Sequence, residues 1–240
     1  ERLVDENKGQ VAAIIVEPVA GNMGCIIPQP GFLEGIRKIC DAENIVFIFD
    51  EVMNGFRLAL GGAQEKLGIN ADLVTYGKVI GAGLPVGAFG GKQHIMESVA
   101  PLGSVYQAGT LSGNPIAMIA GYTLLSILKE QPELLQELDD KTAYLKQGLD
   151  EVLRASQTPY VINHLGSMIS VHFSDHPVTD FASAASANNE LFKQYFHAML
   201  DRGIYLPPSA FESWFLNNAL TREDLDNTIE ATADSLKAIL

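Results

Sequence analysis

The chain has 240 residues, 47% of them hydrophobic and 19% charged, which is enough apolar material for one large domain or two small ones and excludes a disordered chain. Lys plus Arg number 16 against 29 Asp plus Glu; the net charge of -13 excludes the basic footprint of a nucleic-acid or anionic-membrane binder. Two cysteines, Cys25 and Cys40, with no CxxC spacing or neighbouring His, exclude a disulfide framework and a thiolate metal site, and no metal is expected. No apolar run approaches the roughly 20 residues of a membrane helix, and a cytoplasmic location is expected. The chain opens without an initiator Met or signal peptide, in the manner of an excised segment.

From residue 11 to about 91, short apolar runs alternate with amphipathic stretches. Residues 11–18, VAAIIVEP, are rich in β-branched residues and end at a proline, so a strand is predicted. Residues 31–44 place Phe32, Ile36, Ile39 and Cys40 at helical spacing. The continuous run IVFIFDE at 45–51 reads as a strand covered on both faces. A helix near 63–67 follows, then strands at 71–78 and 86–91. Alternation of this kind implies a mostly parallel sheet, but the Gly/Pro turn before 86–91 is too short for a crossover, so that strand is expected to run antiparallel. Beyond it helices dominate, at about 115–129, 132–155, 187–202 and 222–240, with Pro115 and Pro132 at their starts. A strand at 167–173 and extended pieces near 203–206 and 214–216 complete a small α+β domain. The expected domains are 1–128 and 129–240, in an α/β fold with a large mostly parallel sheet.

Open α/β sheets bind ligands at the C-terminal ends of their strands. Three strand ends here carry polar residues: Glu17, the pair Asp50–Glu51, and Lys78. Taken singly, a Glu before Pro caps a turn, an Asp-Glu pair is a solvated edge, and a loop Lys is solvent-exposed. The apolar run before Asp50–Glu51 also fits a Walker B strand, so a nucleotide-hydrolysing domain is a distant alternative. Its partner motif is missing: Gly77-Lys78 opens the glycine-rich stretch instead of closing it, and Val79 follows where Ser or Thr is needed. The order of the residues is more informative. Asp50 ends one buried strand and Lys78 the next, which brings a carboxylate and an amine to one crevice. Pyridoxal phosphate needs that pair, a Lys for the Schiff base and an anion for the pyridinium nitrogen. Burial of Lys78 is expected to favour its neutral amine.

The segments EPVAGNMG, DEVMNGFR, TYGKVIGAGLPVGAFGG and YQAGTLSGNP, with YLPPSAFESWFLN near the end, resemble the signatures of the class-III aminotransferases and, within them, of the glutamate-1-semialdehyde aminomutase family. The resemblance runs nearly end to end. It implies the type I pyridoxal-phosphate transferase fold and conversion of glutamate 1-semialdehyde to 5-aminolevulinate for tetrapyrrole synthesis, with the pyridoxamine form of the cofactor in the cycle. It also implies residue roles. Lys78 holds the cofactor and shuttles protons, Asp50 pairs with the pyridine nitrogen, and Val52 packs on the ring. Asn22 lies at the phenolic edge with help from Glu51, and Gly109 and Thr110 meet the phosphate of the partner subunit's cofactor in a homodimer with shared active sites. Glu212 borders the substrate end of the cleft. The bland alternative for AGTLSGNP is a turn into the helix at Pro115, and both readings can hold. Family chains are longer at the N-terminus, where the main phosphate loop, a stacking aromatic and a carboxylate-binding Arg lie, so a fragment is expected that binds cofactor poorly alone. The nearest rival is an aminotransferase acting on an ω-amino acid with a 2-oxo acid acceptor.

Overall fold

In the computed structural model, which describes residues 1–240, the chain divides into two units. One comprises Glu1–Pro18 and Pro28–Pro132, the other Val19–Ile27 and Glu133–Leu240. The division after Pro132 follows from helix continuity, since one uninterrupted helix runs through the expected boundary near residue 128 to Glu130. Residues 19–27, read from sequence with the first half, pack in the second unit.

The first unit runs α1 (Arg2–Glu6), β1 (Ala13–Val16), α2 (Phe32–Glu43), β2 (Val46–Asp50), α3 (Gly62–Leu67), β3 (Leu73–Tyr76), a 3-10 turn (Lys78–Gly81), β4 (Ala88–Gly91), α4 (Gln93–Met96) and α5 (Pro115–Glu130). Its sheet has the order β1-β2-β3-β4. β1, β2 and β3 are parallel, and β4 returns antiparallel to β3, as the short turn requires. Phe47 and Phe49 of β2 are fully buried and pack edge-to-face, and Leu33 and Cys40 of α2 join them with Ile45 and Val74. Each such side chain contributes about 1.5–3 kcal/mol by leaving water. At the far end of the sheet from Asp50, the buried carboxylate of Asp72 ties strands to helix. It accepts from Phe47 N at 2.7 Å and pairs with Arg37 at 2.9 Å and Lys92 at 2.6 Å. Burial alone would raise the Asp72 pKa, but the bond from Lys92, the Phe47 amide and the Arg37 guanidinium together hold it below the usual carboxylate range.

The second unit contains α6 (Glu133–Ala155), β5 (Val161–Leu165), β6 (Met168–His172), α7 (Phe181–Ser186), α8 (Asn189–Leu200), β7 (Trp214–Phe215) and α9 (Arg222–Ile239). Its strands form an antiparallel sheet in the order β5-β6-β7. Thr142, Leu145, Leu149 and Leu153 recur on one stripe of α6 and are buried with Ile169, Val171, Tyr195, Met199 and Leu236. The other face of β6 carries Met168, Ser170 and His172, all buried, and His172 reaches Gly24 in the 19–27 segment. Residues 204–207 carry no regular secondary structure, α1 forms in the opening stretch whose sequence reads as helical, and β5, α4 and α7 form without having been anticipated. No helix is long and apolar enough to cross a membrane.

Candidate active site

The geometry begins with strand register. β2 and β3 run side by side with Asp50 opposite Thr75, so Lys78 follows three residues beyond the neighbour of Asp50 on the adjacent parallel strand. Asp50 is half-buried, and its Oδ1 accepts from Val52 N at 3.0 Å and from Thr75 Oγ1 at 3.3 Å. Both bonds fall on one oxygen, which orients the carboxylate and leaves the other edge as an acceptor for a protonated ring nitrogen. Thr75 was not anticipated as a partner, since only the register brings it there.

Lys78 opens the 3-10 turn with a left-handed backbone, φ 48°. A non-glycine residue there costs about 1–3 kcal/mol and persists only where its surroundings enforce it. The enforcing contacts are visible. Ile80 N and Ala82 N bond back to Gly77 O and Val79 O, at 3.3 and 3.0 Å. A Cβ on Gly77 would lie 3.2 Å from Val52 Cγ1, so Val52 covers the backbone just before the lysine. A Cβ on Gly121 would lie 2.2 Å from Ile80 O, so α5 presses on the turn at a point only glycine allows. Lys78 is exposed and lines a cavity of about 770 Å³ together with Arg57, Val79, Leu84, Pro85 and Leu124 among others, a lining that does not include Asp50. The expected burial of Lys78 is therefore not supplied by these 240 residues. Arg57, which the sequence reading passed over, enters this lining; desolvation lowers its pKa to about 10. Its Nε donates to Met53 O at 3.0 Å.

Glu51 has a different place from the one expected. Its side chain is fully buried, and its carboxylate accepts from Ala63 N at 2.7 Å and Gln64 N at 3.3 Å at the start of α3. A Cβ on Gly62 would fall 1.9 Å from Glu51 Oε2, so the carboxylate fills the space beside that glycine. Burial raises its pKa, against the lowering effect of the two amides. Glu51 thus holds α3 to the sheet, and its engagement there also removes the Walker B reading of the Asp50–Glu51 pair.

Gly109 and Thr110 are exposed in the loop that enters α5. Ser112 N bonds Gly109 O at 2.9 Å, and Asn114 Oδ1 caps the helix by accepting from Ile116 N and Ala117 N, both at 3.1 Å. The loop is thus a helix-entry turn whose first two residues face outward. In the second unit, Asn22 is exposed at the tip of the 19–27 segment, and Glu212 is exposed directly before the buried Ser213. His172 and Ser213 were not singled out from sequence; both anchor the Asn22 segment from more than a hundred residues away.

The first unit offers the donor types a pyridoxal phosphate ring needs, an anchored carboxylate and an exposed lysine just beyond the ends of adjacent strands with Val52 packed on Gly77, although neither Asp50 nor Val52 lines the cavity at Lys78.

A family model described as aminotransferase class-III matches residues 1–240. Among curated relatives, the glutamate-1-semialdehyde 2,1-aminomutase of Flavobacterium johnsoniae is 60% identical over 229 residues, 95% of this chain and 54% of that protein. The crystal structure of an omega-transaminase from Sphaerobacter thermophilus aligns with a TM-score of 0.92 at 30% identity, covering 99% of this chain and 54% of that one. A glutamate-1-semialdehyde-aminomutase variant from Pseudomonas aeruginosa, crystallised in complex with PMP, aligns at 0.84 and 25% identity over 97% of this chain and 53% of that one. The chain spans about half the length of the curated relatives it matches.

Proposed function

Because this chain belongs to the class-III aminotransferases, we propose that it is the larger part of a pyridoxal-phosphate-dependent glutamate-1-semialdehyde 2,1-aminomutase, which isomerises glutamate 1-semialdehyde to 5-aminolevulinate. The observation that carries the chemistry is the placement of Asp50 and Lys78 on the ends of adjacent parallel strands. The choice of substrate is supported by the relatives of 52–60% identity that bear this name. When bound, the cofactor supplies the conjugated ring that withdraws electrons from the substrate carbon bearing the amine.

The residues of this chain do the rest. Lys78 holds the cofactor through Nζ and afterwards serves as the general base and acid, taking a proton from one substrate carbon and returning one to the next. Asp50 keeps a negative charge against the ring nitrogen; because its Oδ1 is already fixed by Val52 N and Thr75, little reorganisation is needed when charge develops. Val52 packs one face of the ring. Asn22 contacts the phenolic edge, Glu212 borders the substrate, and Gly109 and Thr110 offer an amide and a hydroxyl to the phosphate held in the partner subunit of a homodimer. The remainder of the parent protein supplies the other walls of the pocket. A cytoplasmic location fits this role.

The omega-transaminase similarity favours one rival, an aminotransferase with a separate 2-oxo acid acceptor. The test is to give the complete protein glutamate 1-semialdehyde with no 2-oxo acid and to measure 5-aminolevulinate. Sustained formation is expected; a strict requirement for an added acceptor would establish the rival.

A further inference from the structure

The segment that carries Asn22 is closed on itself and then fastened at two carbonyls. Ala20 and Ile26 form an isolated antiparallel bridge with reciprocal bonds, Ala20 N to Ile26 O at 3.0 Å and Ile26 N to Ala20 O at 2.9 Å. Within this loop, Gly21 O accepts twice from Ser213, from its Oγ at 3.0 Å and its N at 3.3 Å. Gly24 O accepts from His172 Nε2 at 2.9 Å. Ser213 and His172 are 3% and 2% exposed, whereas Asn22, between the two clamped carbonyls, is exposed. Gly24 has φ +94°, and a Cβ on it would stand 2.1 Å from His172 Cε1, so the imidazole rests directly on the glycine. Ala20, Met23 and Ile26 pack with Val178, Ala184 and Phe211, which gives the loop an apolar footing beside the clamps.

Gly21 and Gly24 are themselves buried, so water does not satisfy their carbonyls and protein donors must, which ties the backbone on both sides of the exposed Asn22 to the second unit's framework. Here two buried side chains, 192 and 148 residues away in sequence, both spend their donors on one short turn. Burial lowers the His172 pKa, which keeps the imidazole neutral and able to donate through Nε2 at neutral pH. Glu212 precedes Ser213, so the clamp that fixes Gly21 also fixes the backbone next to Glu212.

We propose that Ser213 and His172 are positioning residues that lock the Asn22 turn and Glu212 into one rigid piece, so that the cofactor's phenolic edge and the substrate end of the cleft are held by the same framework. This rests on the reading of Asn22 and Glu212 given above. Loss of either clamp should leave Asn22 and Glu212 present but misplaced, and misplacement near 1 Å is enough to cost about a hundredfold in rate.

The test uses the complete parent enzyme with pyridoxal phosphate. Ser213→Ala and His172→Phe remove the donors; Ser213→Thr and His172→Gln keep them; Asn22→Ala removes the side chain being positioned. The readouts are the pH midpoint of the bound cofactor's visible absorbance, kcat and KM for glutamate 1-semialdehyde, and the melting temperature. Ser213→Ala and His172→Phe are expected to shift the midpoint in the same direction as Asn22→Ala and to lower kcat by about tenfold or more. The two conservative variants should restore both. Ser213→Ala combined with Asn22→Ala should show no shift beyond that of Asn22→Ala, because both act through one contact. Lower melting temperatures with unchanged midpoint and kcat in Ser213→Ala and His172→Phe, while Asn22→Ala moves the midpoint, would overturn the proposal and leave the Asn22 reading intact. An unmoved midpoint in Asn22→Ala itself would overturn both.

Discussion

Gly121→Ala adds one methyl at the point where α5 presses on the Lys78 turn. The added Cβ would stand 2.2 Å from Ile80 O and 3.4 Å from Ile80 C. An ordinary carbon–oxygen contact lies near 3.3 Å, so the turn and the helix must separate by roughly 1 Å. The obstacle is backbone, not the end of a flexible side chain, so no rotamer change relieves it. Overpacking of this kind costs about 1–3 kcal/mol, offset by the gain of about 1 kcal/mol in helix propensity from Gly to Ala. The net loss of stability is therefore at most about 2 kcal/mol. Activity should suffer more. Ile80 lies two residues from Lys78, whose left-handed backbone depends on the turn staying closed, and a 1 Å displacement of a catalytic group costs about a hundredfold. The control is Gly35→Ala near the start of α2, where an added Cβ meets nothing within 4 Å. It should raise stability by about 0.5–1 kcal/mol and leave turnover alone. The assay is kcat and thermal melting of the complete enzyme carrying each change. Full kcat in Gly121→Ala would refute the claim that α5 holds the catalytic turn.

Asp50→Asn keeps the shape but removes the charge next to the ring nitrogen; kcat is expected to fall about 10²–10³-fold with the cofactor still bound, and a loss under threefold would argue against the pairing. Glu51→Gln weakens the hold on α3, since an amide has only one acceptor oxygen for the space where the carboxylate meets Ala63 N and Gln64 N. A stability loss of about 1–3 kcal/mol with an unchanged cofactor spectrum is expected; the reverse pattern would return Glu51 to the cofactor. For Asp72, the folded pKa is below the unfolded one, so its stabilisation is present above about pH 4, the unfolded value, and is lost as pH falls through the folded value. Asp72→Asn should cost about 2 kcal/mol at pH 7, and its melting curve should converge with the wild type below pH 4; a pH-independent gap would contradict the linkage.

The strands of the first unit were legible as continuous apolar runs, as in VFIFD, although the expected cover on both faces is not found, since only Phe47 and Phe49 on one face of β2 are fully buried and Ile15 of β1 is exposed; β4 was legible because a short Gly/Pro turn allows no crossover. The helix entry at Asn114-Pro115 follows from capping chemistry. β5 was missed because VINHL interleaves Asn163 and His164 with its apolar residues and is only partly buried along its length. The start of α7 carried a local signal that went unread, Asp180 with Ser183 three residues on as a capping box. In the site, Lys78 and Asp50 could be seen as strand ends, but the roles of Glu51, His172, Ser213 and Gly121 could not. Each depends on a partner brought near by folding: Glu51 on amides 12 and 13 residues away, His172 on a carbonyl 148 residues away, Gly121 on the Ile80 carbonyl. Residues 19–27 were assigned by their position in sequence, although their hydrogen bonds run to β6 and to Ser213.

Borohydride reduction of the complete enzyme after incubation with pyridoxal phosphate, followed by digestion and mass spectrometry, tests the central claim most directly. The phosphopyridoxyl mass is expected on Lys78 alone, with none on Lys78→Ala protein. Labelling spread over other lysines, or a modified site elsewhere with Lys78 unmodified, would contradict the assignment of this strand end as the point where the cofactor is held.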